Sequence, residues 1–269
     1  MPIKPKTRKI VLIGSGNVAT HLGKMLSNTR EFAVIQIYSK TMSHARSLGN
    51  KLNIPWACQL QDININADIY ILAVKDDMIS AIGSQLADKI NSKAVVIHTS
   101  GSTSAVVLKP YFKYIGVLYP LMTFSKKKKN ISLTIPCFVT GAGKYARSII
   151  IHLAESISNQ VKEVSDETRS FIHLSAVLVN NFPNYLYIMA DRILKSKKIE
   201  FEVLLPLIEE TTAKLKTLSP IDAQTGPARR HDLKTINMHN SLLKKYFPTW
   251  SAIYLQLSGM IQAEFNQRN

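Results

Sequence analysis

The residues Gly14-Ser15-Gly16-Asn17-Val18-Ala19 follow a short β-branched apolar run, Lys9 to Ile13, and open a stretch with apolar residues at Val18, Leu22, Met25 and Leu26. The pattern G-x-G-x-x-A placed between a strand and a helix suits the binding of a dinucleotide pyrophosphate. Gly14 permits the tight turn, Gly16 leaves the backbone bare for close approach, and Ala19 lets the helix pack near the sheet. The amide N–H groups and the positive dipole end of the helix then face the phosphate oxygens. Gly14, Ser15, Gly16, Asn17, Val18 and Ala19 are therefore expected to bind a cofactor. The plain alternative is a glycine turn in an unrelated α/β protein.

The next strand discriminates between dinucleotides. NAD sites place an acid about 20 residues on, at the strand end, to hold the ribose 2′-hydroxyl. Here the strand ends Gln36-Ile37-Tyr38-Ser39-Lys40-Thr41, and no Asp or Glu occurs between Phe32 and Asp62. Ser39 and Lys40, with Arg46 further on, offer a hydroxyl and cations to a 2′-phosphate, so NADP(H) is the expected cofactor. Two later strand ends, Ala73-Val74-Lys75 and Thr99-Ser100-Gly101, fall at the carboxyl edge of a parallel sheet, where ligands of open α/β sheets bind. Ala73, Val74 and Lys75 are expected beside the nicotinamide ribose, and Thr99, Ser100 and Gly101 near the reactive ring. His98, at the end of its strand, is read either as part of that site or as a structural histidine.

The elements that must carry these residues alternate. Strands are expected at Lys9–Ile13, Phe32–Tyr38, Pro55–Gln59, Ala67–Val74, Ala94–His98, Tyr114–Leu118, Ile135–Val139 and Val161–Val164. Helical spacing lies between them at residues 17–26, 43–52, 78–90 and 144–156. Such alternation implies a mostly parallel sheet covered on both faces, a Rossmann-type α/β fold. From Asp166 onward only helical periodicity is present, with an acidic start at Asp166-Glu167, and Pro183 is expected to kink or interrupt the first helix. Further helices are expected near 200–218, 232–246 and 249–265. The organisation read from the chain is a dinucleotide-binding domain over 1–165 and a smaller all-α domain over 166–269.

Composition narrows the classes. The chain has 269 residues, 46% hydrophobic and 19% charged, which excludes wholesale disorder. No apolar run reaches the roughly 20 residues of a membrane span, and the N-terminal apolar run is too short for a signal peptide. A cytoplasmic protein without a membrane partner is expected. Cys58 and Cys137 form no CxxC pattern, so neither a disulfide framework nor a metal site is expected. The net charge is +16, but the basic runs, among them Lys126–Lys129, Lys195–Lys198 and Lys244-Lys245, are scattered and lack a nucleic-acid motif. No nucleic-acid partner is expected; a polyanion-binding protein is a rival resting on charge alone.

With these residues in view, the chain resembles pyrroline-5-carboxylate reductase and the β-hydroxyacid dehydrogenases in its Gly14–Ala19 turn, Tyr38-Ser-Lys stretch and Leu72–Lys75 tip. Three more specific segments, Gly116–Ser125, His173–Phe182 and Ala223–Asp232, resemble a family designated NADP oxidoreductases, with a Rossmann-like N-terminal domain and a helical C-terminal domain of unknown function. The resemblance covers nearly the whole chain. It implies the two-domain fold, NADP binding and a substrate held between the domains, but names no reaction. It points to polar residues of the first long helix of the second domain: His173 as proton donor, and Asn181 or Asn180 for carbonyl or amide recognition. Helical periodicity favours Asn180, seven residues from His173, while the resemblance favours Asn181. The β-hydroxyacid dehydrogenases use a lysine on this helix; this chain has Arg169 and His173 there, which argues against hydroxyacid oxidation by a lysine base. Thr225 and Gly226, in a turn, with Arg229 or Arg230 and with Asp232 as partner, are the expected substrate-anion site. The expected function is an NADP(H)-dependent oxidoreductase, a reductase of a small anionic carbonyl or imine compound, working as a homodimer. The alternative is a dinucleotide-binding regulator or sensor without redox chemistry.

Overall fold

The computed structural model describes residues 7–123 and 135–266. The Lys126–Lys129 run, and the last two residues of the Gly116–Ser125 segment, lie outside them. Two compact units divide the chain, Met1–Leu186 and Tyr187–Asn269.

The first unit is built on an eight-stranded sheet. Its strands are β1 (Arg8–Ile13), β2 (Phe32–Tyr38), β3 (Trp56–Ala57), β4 (Ile69–Leu72), β5 (Val95–His98), β6 (Tyr114–Pro120), β7 (Cys137–Gly141) and β8 (Val161–Glu163), in the spatial order β3-β2-β1-β4-β5-β6-β7-β8. All pairs are parallel except β6 with β7, which run antiparallel. Helices α1 (Asn17–Leu26), α2 (Met42–Leu52), α3 (Ile79–Leu86) and α4 (Gly143–Glu155) connect them. The expected mostly parallel α/β fold is present. The clearest strand of the sequence is shorter than its apolar run, because Ala73 and Val74 already belong to the loop at the carboxyl edge. Likewise the 78–90 helix is confined to α3, behind a 3₁₀ turn at Asp76–Met78.

Strand alternation sorts the core. Ile10 and Leu12 point to one face with Leu22, Ile149 and Leu153; Val11 and Ile13 point to the other with Tyr70, Ile82 and Leu86. Both faces of β1 and β4 are thus covered, which is why their sequences read as continuous apolar runs rather than alternating ones. The chain leaves β1 toward β2 and β3, then crosses back to β4. The crevice between the β1 and β4 ends is the topological switch point, where an open sheet binds its ligand.

Helix α5 (Asp166–Ala176) follows β8, then a π-helical turn at Val177–Asn181, then α6 (Phe182–Lys195). The helix is not broken at Pro183. Phe182 N–H instead donates to the Val177 carbonyl, a wide five-residue closure. Proline lacks the N–H that an α-helix would bond to the Val179 carbonyl, and its ring would crowd that carbonyl. Widening the preceding turn relieves both problems without ending the helix.

The second unit contains the rest of α6 with α7 (Leu205–Lys214), α8 (Pro220–Ala223), α9 (Leu233–Tyr246) and α10 (Pro248–Asn266), and among the described residues no strand follows residue 166, in line with the helical periodicity. The expected 200–218 helix is a 3₁₀ turn at Phe201–Leu204 followed by α7, and α8, only four residues long, has no counterpart in the sequence reading. No helix among the described residues is long and apolar enough to cross a membrane.

Candidate functional site

The turn after β1 has the properties that its glycines imply. Gly14 has φ +124, and a Cβ there would lie 2.1 Å from the Ala73 carbonyl oxygen. Only glycine permits the β1 and β4 ends to come this close. Gly16 differs: its φ is −73, and an added Cβ would meet nothing within 4 Å. It leaves open space at the N-terminus of α1, where no side chain caps the helix and the first turn holds no acid. The leading N–H groups of a helix lack intrahelical partners. A phosphate group therefore fits this end on both space and charge. Ala19 is fully buried against the sheet, and Thr20 Oγ1 donates back to the Gly16 carbonyl at 2.8 Å.

Ser15 Oγ and Ser39 Oγ share a hydrogen bond of 2.8 Å, which joins the glycine turn to the β2 end. Lys40 is exposed beside it and makes no ion pair among the described residues; Arg46 is exposed on α2. The β2 end thus carries hydroxyl and cation, with no acid to repel a 2′-phosphate.

At the neighbouring strand ends, Asp76 accepts hydrogen bonds from Ser100 Oγ at 2.7 Å and Ser102 Oγ at 2.8 Å. Partial burial raises the Asp76 pKa, but the bonds from Ser100, Ser102 and Thr103 outweigh it and hold the carboxyl below its usual range. The loop after β4, which begins with Ala73, Val74 and Lys75, is so tied to the loop after β5. Thr99 N–H donates to the Leu72 carbonyl at 3.3 Å, and Thr99, Ser100 and Gly101 are all buried. His98 is wholly buried, with Nδ1 accepting from Ser100 N–H at 3.2 Å and Nε2 at 3.3 Å from the Ser104 carbonyl. Burial, helped by the Arg169 charge, pushes its pKa down to about 4. With both nitrogens occupied it is a structural histidine that shapes the 99–104 loop.

His173 of α5 packs against Gly101. A Cβ at position 101 would stand 2.6 Å from His173 Nδ1 and 2.9 Å from its Cβ, so the missing side chain is what admits the imidazole. The same Nδ1 shares a hydrogen bond of 3.0 Å with the Tyr119 hydroxyl of β6, the rings meeting edge to face at 77°. Tyr119 falls inside one of the segments singled out in the sequence but receives no role there. Only its alternation along β6 hinted at its direction.

Arg169, which occupies the helix position of the missing lysine, is wholly buried. Its guanidinium donates to Asp166 Oδ1 at 2.6 Å, to Thr140 Oγ1 at 2.7 Å and to the Thr103 carbonyl. Asp166 in turn accepts from Ser104 Oγ and from Ala105 N–H at 3.1 Å. Arg169 thus fastens α5 to β7 and to the loop after β5, which sets where His173 lies.

Asn180 and Asn181 are both exposed in the π turn. In a regular α-helix Asn180 would share the His173 face and Asn181 would sit about 80° away. A π turn advances each residue by roughly 80° rather than 100°, so over the steps from Val177 to Asn181 the lag is roughly 80°. That swings Asn181 back to the His173 side and carries Asn180 off it. The regular-helix ground for preferring Asn180 is lost.

Within the second unit, Gly226 has φ +105 and forms the expected turn, beside exposed Thr225. Arg229 does not present its guanidinium for an anion: it donates to the carbonyls of Gln224 and, at 3.3 Å, Asp222, and lies 4.8 Å from the Phe265 ring centre. Asp232 is not its partner. Standing one residue before α9, it caps that helix, accepting from Thr235 N–H at 3.0 Å and Thr235 Oγ1 at 2.7 Å. The unpaired amides of a helix start claim a carboxylate placed there. Arg230, the alternative arginine, is exposed. Lys197 and Lys245, from two basic runs read as scattered, both lie over Tyr246, 5.0 and 5.1 Å from its ring centre.

A cleft of about 330 Å³ lined by Thr29, Arg30, Glu31, His152, Glu155 and Ser156 opens at the opposite, amino edge of the sheet. No cluster of three or more metal-ligating side chains exists among the described residues.

Residues 2–122 match the Rossmann-like domain model, and residues 135–261 match a domain of unknown function (DUF2520). No curated protein matches. Among solved structures, a putative NADP oxidoreductase from Bacteroides fragilis is 35% identical, covering 96% of this chain and 98% of its own, with a TM-score of 0.90. A protein from Thermotoga maritima is 21% identical over 94% of this chain and 98% of its own, with a TM-score of 0.78. A 1-pyrroline-5-carboxylate reductase from Streptococcus pyogenes is 17% identical over 96% and 99%, with a TM-score of 0.59; these last two share the fold. The identity to the Bacteroides protein along nearly the full length of both chains, on a shared fold and a shared pair of domains, means that this chain belongs to its family of NADP oxidoreductases, in which a Rossmann-like domain precedes the domain of unknown function.

Proposed function

We propose that this oxidoreductase uses NADP(H) to reduce a small carbonyl or imine compound, with His173 supplying the proton. The observation that carries the reading is an unbroken line of contacts along the carboxyl edge of the sheet. Gly14 abuts Ala73, Asp76 holds Ser100, Gly101 admits His173, and His173 meets Tyr119. One end of this line is the phosphate-fitting start of α1; the other is an acid–base side chain on a half-buried helix face.

A bound reduced nicotinamide would supply a hydride, that is, both electrons. The chain's part is to orient and to protonate. Gly14–Ala19 would hold the pyrophosphate, Ser39 and Lys40 the 2′-phosphate, and Ala73–Lys75 with Thr99–Gly101 would flank the ring. His173, as imidazolium, gives its N–H proton to the carbonyl oxygen or imine nitrogen and is left neutral, so the product gains one hydride and one proton. Asn181, brought to the same helix side by the π turn, would donate to the substrate carbonyl. Arg169 cannot act as a base, being always charged and already spent on three oxygens.

An anionic group on the substrate is part of the proposal. We also place a second copy of the chain on the apolar helices of the second unit. Ser251 and Ser258 are the buried residues of α10, whereas Met260 is 64% exposed and Leu255 and Leu257 each 41%. An apolar helix turned outward in this way supports that placement.

NADPH oxidation measured against a panel of keto acids, aldehydes and cyclic imines tests the reading. Turnover that falls at least 100-fold in His173→Gln is expected. Tight NADPH binding with no turnover on any class would favour the non-catalytic sensor. Sedimentation of the wild type and of Met260→Glu tests the homodimer: a dimer that dissociates in the variant is expected, and a monomeric wild type would discard it.

A further inference from the structure

We infer that Tyr119 is a positioning residue that selects the nitrogen from which His173 releases its proton. The inference rests on the reading of His173 as proton donor and deepens it. An imidazole has two nitrogens, and which one bears the proton is set by the bond that the other makes. Here Nδ1 is occupied on two sides. The Tyr119 hydroxyl lies 3.0 Å from it, and the Gly101 backbone closes the space beside it, since even a methyl group at Gly101 would come within 2.6 Å. Nδ1 therefore cannot reach a substrate, and Nε2 is the nitrogen left for one.

A tyrosine hydroxyl suits this post because it serves both protonation states. With His173 neutral at rest, before it is protonated, Tyr119 O–H donates to Nδ1 and the ring proton sits on Nε2. With His173 charged, Nδ1–H donates to the phenol oxygen and Nε2–H remains directed away from it. Release of the Nε2 proton leaves the Nδ1–H form, which still donates to the phenol oxygen, so the ring keeps one orientation through the transfer. Burial raises the Tyr119 pKa, against the opposing Arg169 charge, so the phenol keeps its proton at neutral pH. A carboxylate at this position would instead accept from Nδ1–H in both states and leave neutral Nε2 bare.

Histidine side chains in ¹⁵N-labelled protein report the tautomer directly by long-range ¹H–¹⁵N NMR, without substrate or cofactor. The His173 signals are assigned by their loss in His173→Gln. In the wild type above pH 8, His173 is expected as the Nε2–H tautomer alone. Tyr119→Phe keeps the aromatic packing, confirmed by an unchanged melting temperature within a few degrees, and is expected to give an averaged mixture of tautomers. Gly101→Ala, which displaces the ring from the other side, is expected to give the same mixture. A wild-type His173 in the Nδ1–H form, or a Tyr119→Phe spectrum identical to wild type, overturns the inference. Absence of NADPH turnover would instead sink the proton-donor reading and leave the tautomer result standing, so the two failures are told apart.

Discussion

Arg169 and Asp166 form an ion pair of 2.6 Å in which the arginine is completely buried and the aspartate is not. The pair stands one helical turn before His173 and binds three separate segments: β7 through Thr140, the loop after β5 through Thr103, and α5 itself. Burial alone would raise the Asp166 pKa, but hydrogen bonds from Ser104, Arg169 and Ala105 overcome it and hold the carboxyl below its usual range. The arginine fixes the helix in place. Replacing Arg169 by methionine strips Asp166 of its cation and leaves the Thr103 carbonyl unpaired. A loss of about 3 kcal/mol is expected, of the size found when one partner of a buried pair is removed. Urea unfolding reads it, and a change under about 1 kcal/mol would show that the network is not a stabilising one.

Gly14 and Gly16 are expected to separate folding from binding. Gly14→Ala sets a methyl group onto the Ala73 carbonyl at a φ of +124 and is expected to cost on the order of 3 kcal/mol. Gly16→Ala meets open space and is expected to cost less than about 1 kcal/mol, the difference between glycine and alanine as helix caps. The second variant should nevertheless lose the rise in melting temperature that NADPH confers on the wild type. A Gly16→Ala protein stabilised by NADPH as well as the wild type would dismiss the phosphate-turn assignment.

Lys40→Glu replaces a cation at the end of β2 with an acid suited to a ribose hydroxyl. NADPH affinity should drop roughly tenfold or more, about 1.4 kcal/mol, while NADH affinity holds or improves. Titration of both nucleotides by calorimetry gives the ratio, and equal losses for both would remove the role given to Lys40.

His98 makes stability depend on acid. Its folded pKa of about 4 lies below the unfolded value of 6.5, so the unfolded chain binds the extra proton first. Its contribution is complete above pH 6.5, falls as the pH drops, and is fully lost near pH 4, a total of about 3 kcal/mol. Asp76 and Asp166, whose pKa values are lowered, release their own contributions only below the ordinary carboxylate range, in a more acid window. Unfolding free energies from pH 7 to 4 should therefore slope in the wild type and flatten in His98→Asn. An equal slope in both would assign the effect elsewhere.

The chain alone determined the parts that depend on near neighbours in sequence. The Gly14–Ala19 turn, the limits of β1, α1 and β2, and the missing acid after Tyr38 follow from local periodicity, from what glycine alone permits, and from which charges suit a phosphate. Tertiary structure decided the rest. His98 and Arg169 are ordinary polar residues until strands and loops far away in sequence enclose them. Tyr119 meets His173 across 54 residues, and only the sheet order brings β6 beneath α5. The facing of Asn181 turns on a π turn that a fixed helical period cannot represent. Arg229 was spent on the carbonyls of its own turn, and no count of charges along a sequence tells a cation that is held from one that is offered.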